Sequence, residues 1–238
     1  IGVDTNKETV ETINQGKIHI VEPGLEKIVN KAISSGTLKA KTEIETADAF
    51  IIAVPTPLKS QKKPDLKFVE AATRGIAPIL KKGDLVVLES TSPVGTTEKI
   101  CQWLAGERAD LSFPHLKGDK ADIQVSHSPE RVLPGKVLLE LVKNDRVVGG
   151  ISSNCAERTK QLYSLVIEGQ CLLTSASTAE LVKLTENAYR DVNIAFANEL
   201  SMVSDKKGVD VWEVIQLANR HPRVDILNPG PGVGGHCI

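Results

Sequence analysis

The residue with the clearest chemical capacity is Cys237, which follows Gly234-Gly235-His236 in a loop rich in glycine and proline. Glycines let the backbone approach a ligand closely, and a thiol on such a loop can act as a nucleophile. Attack of its thiolate on an aldehyde gives a thiohemiacetal, hydride loss gives a thioester, and water then releases an acid. The alternative is an inert buried thiol, which is the reading preferred for Cys101, Cys155 and Cys171 because they fall in helix or strand patterns. Lys183 and Asn187 are four apart on one face of a long helical pattern. A Lys and an amide held together can position water and stabilise a developing oxyanion. The plain alternative for the pair is a solvated helix face.

Three loops could line one crevice. Val54-Pro55-Thr56-Pro57 and Ser90-Thr91-Ser92-Pro93-Val94-Gly95-Thr96 each follow a strand-like run, and ligands of open α/β sheets bind at the carboxyl ends of strands. Ordinary strand-to-helix turns are the bland reading. Ser128-Pro129-Glu130-Arg131-Val132-Leu133-Pro134-Gly135 follows another such run, and Glu130 would bring a carboxylate to the same edge unless it only pairs with Arg131. Asp4 ends the first strand-like run, where a dinucleotide fold places the acid that accepts from ribose hydroxyls; it could equally cap the next helix. The glycine-rich phosphate-binding turn belongs about 20 residues before such an Asp, upstream of Ile1.

Bulk composition narrows the classes. With 29 basic and 30 acidic side chains, net charge −1, there is no broad positive field for nucleic acid or an anionic membrane. A small-molecule partner is the better default. The apolar runs, such as residues 49–54 and 85–88, fall far short of the roughly 20 residues of a membrane span. The four cysteines are scattered and no histidine stands at zinc spacing, so no metal is assigned and reduced thiols in the cytoplasm fit best.

The elements that must position these residues alternate over residues 1–174. Strand-like runs at 1–4, 49–54, 85–88, 124–127, 147–148 and 171–174 are separated by helical patterns at 7–14, 23–35, 66–80, 97–104 and 156–166. That alternation predicts an α/β fold, a doubly wound parallel sheet covered on both faces, with 49–54 a buried central strand. Residues 175–238 read differently. Ser177-Thr178-Ala179-Glu180 reads as a capping box opening a helix of about 30 residues and some 45 Å that stops near Gly208. A helix so long suits a bridge between domains, and its wide apolar stripe suits burial against a second copy, a homodimer. A short helix over 211–218 and the Cys237 loop follow.

Taken together, Val54-Pro55-Thr56-Pro57, Glu89-Ser90-Thr91-Ser92-Pro93-Val94-Gly95, Pro129-Glu130-Arg131-Val132-Leu133-Pro134-Gly135, Lys183-Leu184-Thr185-Glu186-Asn187 and Gly230-Pro231-Gly232-Val233-Gly234-Gly235-His236-Cys237 resemble the UDP-glucose/GDP-mannose dehydrogenase family. Residues 129–135 and Asn219-Arg220-His221-Pro222-Arg223-Val224 look like the branch that acts on UDP-N-acetyl-D-mannosamine. The resemblance implies a Rossmann-like NAD-binding domain over 1–174 lacking its first strand and glycine-rich turn. It implies a dimerisation region over 175–238, with a UDP-binding domain beyond, so that this stretch alone would not turn over. The implied reaction oxidises the C6 hydroxyl of a UDP-sugar to a carboxylate with two NAD reduced, for surface polysaccharide or glycan synthesis; the alternatives are UDP-N-acetylglucosamine or UDP-glucose as the substrate, or a non-catalytic dinucleotide-binding module.

The resemblance also implies roles for individual residues. Cys237 matches the nucleophile, and Lys183 and Asn187 match the groups that orient water and stabilise the oxyanion. Glu130 matches a catalytic-site glutamate, and Thr91 a residue near the nicotinamide. Asp4, Val54, Pro55, Thr56, Thr91 and Glu130 would meet the cofactor. Glu130, Arg131, Lys183, Asn187, Arg223 and Gly234 would meet the sugar nucleotide, Arg223 in the site of a neighbouring subunit. Pro134 stands where glutamate-based relatives carry a second acid.

Overall fold

A computed structural model describes residues 1–60 and 63–233. The chain divides into two compact units, Ile1–Leu181 and Val182–Ile238, whereas the boundary read from sequence lies after residue 174.

The first unit opens with β1 (Gly2–Val3), α1 (Lys7–Asn14), α2 (Leu25–Ser34) and β2 (Ala40–Lys41), and β1 pairs with β2 in a parallel two-stranded sheet. Asn6, not Asp4, caps α1, its side chain accepting from the Glu8 and Thr9 amides. Asn14 then fastens the helix to β2, its side chain donating to the Ala40 carbonyl and accepting from the Ala40 amide, each at 2.9 Å.

A five-stranded sheet follows, in the order β3 (Ala49–Ile52), β4 (Leu85–Leu88), β5 (Gln124–His127), β6 (Arg146–Gly150) and β7 (Cys171–Ser175). Helices α3 (Lys67–Ile76) and α4 (Thr96–Glu107) connect its first strands, the four-residue α5 (Pro114–Lys117) precedes β5, and α7 (Ser153–Tyr163) joins β6 to β7. Within 66–80 the helix tightens to a 3-10 turn at Ala77–Ile79, where Pro78 has no amide to continue the α-helical ladder. Both sheet faces are covered, as the alternation predicts. Phe50, Ile52, Val86, Leu88 and Val125 pack with Val69, Ile100 and Leu104 of α3 and α4. Leu85, Val87 and Val148 pack with Ala156 and Tyr163 of α7 on the opposite face. Each fully buried Val, Leu, Ile or Phe among them contributes about 1.5–3 kcal/mol.

Two features depart from the sequence reading. Among the described residues β3 stands at one end of the five-strand order, and Ile51 is 49% exposed. An apolar run records what a strand can bury, not what lies beside it. The sheet is also mixed, because β6 runs antiparallel to β5 while the other pairs are parallel. The connection over residues 128–145 holds two short elements' worth of chain at most, a loop and the seven-residue α6 (Val137–Lys143). It turns back at the edge where β5 ends, and so Arg146, the first residue of β6, starts at that edge.

Helix α8 (Ala176–Lys207) has 32 residues and runs from the end of the first unit into the second, which then carries α9 (Val211–Ala218). It starts ahead of the predicted capping box. The Ser175 hydroxyl accepts from the Thr178 amide at 3.1 Å, so Ser175 acts as the cap and Ser177 lies inside the helix. Glu180, expected to reach back to the helix start, has taken a different partner.

Candidate active site

Because β3, β4 and β5 are parallel, the loops that follow them emerge at one edge of the sheet. They are bonded to one another there. The Thr56 hydroxyl donates to the Thr91 carbonyl at 2.7 Å, and the Ser90 hydroxyl donates to the Val54 carbonyl at 2.7 Å. Val54, Pro55, Thr56 and Thr91 are thus brought together. The bland turn reading does not account for these cross-loop bonds, since local turn geometry needs only near neighbours.

The start of α4 fixes the second loop from below. Gly95, at φ 91°, turns the chain into the helix, leaving amides that need an acceptor from elsewhere. Glu180 supplies it. Its fully buried carboxylate accepts from the Gly95 amide at 2.6 Å and from the Thr97 amide and hydroxyl at 2.7 and 2.6 Å. A carboxylate on the positive end of a helix is stabilised further by the helix dipole.

Glu130 lies in the loop after β5, and the structure gives it neighbours the sequence did not reveal. Its carboxylate accepts from the Arg131 amide at 2.6 Å and from the Arg146 guanidinium at 3.4 Å. Arg146 is 5% exposed and also bonds the Glu89 carboxylate and, through Nε, the Ser128 hydroxyl at 2.8 Å. Tyr163 completes the group, its hydroxyl donating to Glu89 at 2.5 Å and its ring lying 4.0 Å from the Arg146 guanidinium carbon. Burial raises the Glu89 carboxyl above its ordinary value and the nearby Glu130 charge adds to this, while the Tyr163 hydroxyl and Arg146 oppose it. Arg131 itself donates to the Asp145 carbonyl at 3.1 Å.

The same loop is pinned at its far end by Glu22, a nearly buried residue whose carboxylate accepts from the Gly135 and Val137 amides at 2.8 and 2.9 Å. Sequence reasoning missed Glu22, Arg146, Tyr163 and the partner of Glu180. The available signals were weak: a charge opening the apolar strand Arg146-Val147-Val148, and a glutamate directly after β4. Neither says which residues will face it.

Asp4 is exposed at the carboxyl end of β1, and its Oδ1 accepts from the Asn6 amide at 2.8 Å. The 54–57 and 90–95 loops carry hydroxyls and no charged side chain. A carboxylate able to accept from ribose hydroxyls and uncharged loops after β3 and β4 are residue types that fit a dinucleotide. In the second unit, Lys183 and Asn187 share a face of α8, where the Asn187 carboxamide oxygen accepts from Arg190 at 3.2 Å. Arg223 is exposed, and its amide donates to His221 Nδ1 at 3.3 Å. Gly234 and Cys237 lie outside the described residues. Among the described residues no group of three or more His, Cys, Asp and Glu could hold a metal ion, and no helix is long and apolar enough to cross a membrane.

Comparison with known proteins gives this geometry its family. The chain is 64% identical over 238 residues to the NDP-N-acetyl-D-galactosaminuronic acid dehydrogenase of Ralstonia nicotianae, covering all of this chain and 56% of that protein. It is 61% identical to the UDP-N-acetyl-D-mannosamine dehydrogenase of Yersinia pestis, again over its whole length and 57% of the relative. Among solved structures, the UDP-D-ManNAc dehydrogenase of Pyrococcus horikoshii matches with a TM-score of 0.93 and 44% identity, over 99% of this chain and 55% of that one. The chain therefore spans little more than half the length of the relatives it matches. The model of the NAD binding domain of the UDP-glucose/GDP-mannose dehydrogenase family matches residues 1–167, and that of its central domain matches residues 177–238. With both models matched in order along nearly its full length, the chain belongs to the UDP-glucose/GDP-mannose dehydrogenase family.

Proposed function

We propose that the protein of which this chain is part oxidises the C6 hydroxyl of UDP-N-acetyl-D-mannosamine to the carboxylate, with NAD as acceptor. The observation that carries the reading is the convergence of Thr56, Thr91 and Glu130 at one sheet edge, in a chain 61% identical to a dehydrogenase named for that sugar nucleotide. Bound NAD supplies the hydride acceptor for each of the two oxidation stages. Asp4 holds the adenosine ribose, and the neutral loops at 54–57 and 90–95 border the nicotinamide.

The remaining chemistry belongs to side chains. The Cys237 thiolate adds to the aldehyde carbon of the half-oxidised sugar, forming a carbon–sulfur bond, and the oxyanion takes a proton to give a thiohemiacetal. Oxidation of that adduct leaves a thioester, which water opens to release the acid and restore the thiol. Lys183 and Asn187 hold the water and stabilise the oxyanion, Glu130 moves the proton, and Arg131, Gly234 and Arg223 contact the sugar nucleotide, Arg223 across a homodimer. Exposed Tyr189, Val192, Phe196 and Val203 along α8 supply the apolar surface for that pairing. The setting is cytoplasmic and the product enters surface polysaccharide synthesis.

The 64% identity to an enzyme named for N-acetyl-D-galactosaminuronic acid favours a second reading, in which the galacto epimer is the sugar. The complete protein assayed for NADH formation with the manno, galacto and gluco UDP-N-acetylhexosamines separates them, and NADH from none of the three ends the dehydrogenase reading. Cys237→Ala should lower kcat by about 1,000-fold or more, the scale of removing a covalent nucleophile. A rate within about threefold of wild type would remove Cys237 from the mechanism.

A further inference from the structure

The Arg146 guanidinium is held on every side. Its Nε meets Ser128 at the end of β5, Nη2 meets Glu89 at the end of β4, and Nη1 meets Glu130, while its face lies on the Tyr163 ring of α7. A planar fork with five donors can satisfy such a set, whereas an ammonium cannot. For structure alone one carboxylate would be enough. Glu89 already neutralises the cation, and Tyr163 and Ser128 complete its surroundings. The second carboxylate, Glu130, is the one left open to solvent, with 38% of its side chain exposed, and its 3.4 Å contact is the longest of the set. The arrangement is a rigid buried base with one adjustable arm, and the arm is the residue at the ligand edge of the sheet. A small cleft lined by Pro129, Glu130, Arg131, Asp145 and Arg146 opens beside it.

We propose that Arg146 is a positioning residue that acts through Glu130, setting the direction and charge environment of its carboxylate from a guanidinium locked by Glu89, Ser128 and Tyr163. This rests on the reading of Glu130 as the glutamate that moves a proton in the reaction. Among the described residues, the charged and titratable groups around that carboxylate include Arg146 on β6, Glu89 after β4, Tyr163 on α7, Glu140 on α6, and Arg131 and Asp145 on the loop beside it. The antiparallel return of β6 is what puts a cation there, because a parallel strand would begin at the far end of the sheet.

The test is a double-mutant cycle in the complete enzyme with NAD and UDP-N-acetyl-D-mannosamine, or whichever UDP-N-acetylhexosamine supports turnover. Arg146→Gln should lower kcat by about tenfold or more and leave KM within about threefold, since the substrate gains no contact from a buried residue. In a Glu130→Gln background the same change should alter kcat by less than about twofold, because the group it acts through is already gone. Arg146→Lys should recover little of the loss. If Arg146→Gln does not fold, Tyr163→Phe, which keeps the ring and removes the hydroxyl from Glu89, should lower kcat by about threefold and only when Glu130 is present. Equal losses in both backgrounds, or a rise in KM with kcat intact, would overturn the proposal while leaving the role of Glu130 standing. A Glu130→Gln enzyme with unchanged kcat would overturn both, and that outcome is distinct from the first.

Discussion

The Glu180 carboxylate accepts hydrogen bonds from both the amide and the hydroxyl of Thr97, at 2.7 and 2.6 Å, across 83 residues of sequence. With the Gly95 amide as a third donor, one buried side chain joins the N-terminal part of α8 to the first turn of α4 and to the loop bearing Thr91. Glu180→Ala leaves those donors buried without an acceptor and should cost about 3 kcal/mol, read as a lower urea midpoint with an unchanged slope. Glu180→Gln, which keeps a carbonyl oxygen, should cost less. A loss below about 0.5 kcal/mol for the alanine variant would show that water or a neighbour replaces the carboxylate.

Gly149 sits where β6 passes under the start of α8. A Cβ there would lie 2.5 Å from the Ser175 carbonyl oxygen, 2.6 Å from the Ala179 Cβ and 2.8 Å from the Ala176 Cα, contacts that backbone cannot yield cheaply. Gly149→Ala should therefore destabilise the protein by about 1–3 kcal/mol through overpacking. Thermal unfolding of the variant measures it, and an unchanged midpoint would mean that α8 moves away from the sheet at no cost.

His127 is fully buried at the end of β5, and burial depresses its imidazole to about 4 from an ordinary 6.5. The sign follows from proton counts: between these values the unfolded chain is protonated and the folded chain is not, so acid favours unfolding. Stability should be independent of this residue above pH 6.5, fall as the pH drops from there to about 4, and level off below that. The span corresponds to about 3 kcal/mol. Denaturant titrations at stepped pH should show that fall in the wild type and a shallower one in His127→Leu. Parallel curves would assign the acid sensitivity to other groups.

Much of this architecture was legible in the chain. The helix at Lys7–Asn14, the strands at Leu85–Leu88 and Gln124–His127, and the helix at Val211–Ala218 lie where apolar spacing puts them. These elements are set by short-range forces: β-branched runs bounded by turns, and apolar residues three and four apart. The candidate loops could also be found, because a doubly wound fold sends the carboxyl ends of its parallel strands to one edge whatever their sequence. Glu180 shows where such local reasoning stops. Its spacing from Ser177 is that of a capping box, yet Ser175 caps the helix and Glu180 binds amides 85 and 83 positions earlier in the chain.

Direction and pairing of strands belonged to the tertiary structure. Arg146-Val147-Val148-Gly149-Gly150 reads as a strand in either orientation, since a two-residue side-chain period has no polarity. Only the return of the chain at the end of β5 decides that Arg146 meets Glu89 and Glu130 instead of facing the opposite edge. Residue type could say that a thiol, a lysine, an amide and a glutamate are capable of the chemistry, because reactivity is a property of the group. Which charges stand beside the glutamate, and what holds them there, is a property of long-range packing, and packing brings together residues that share no local pattern.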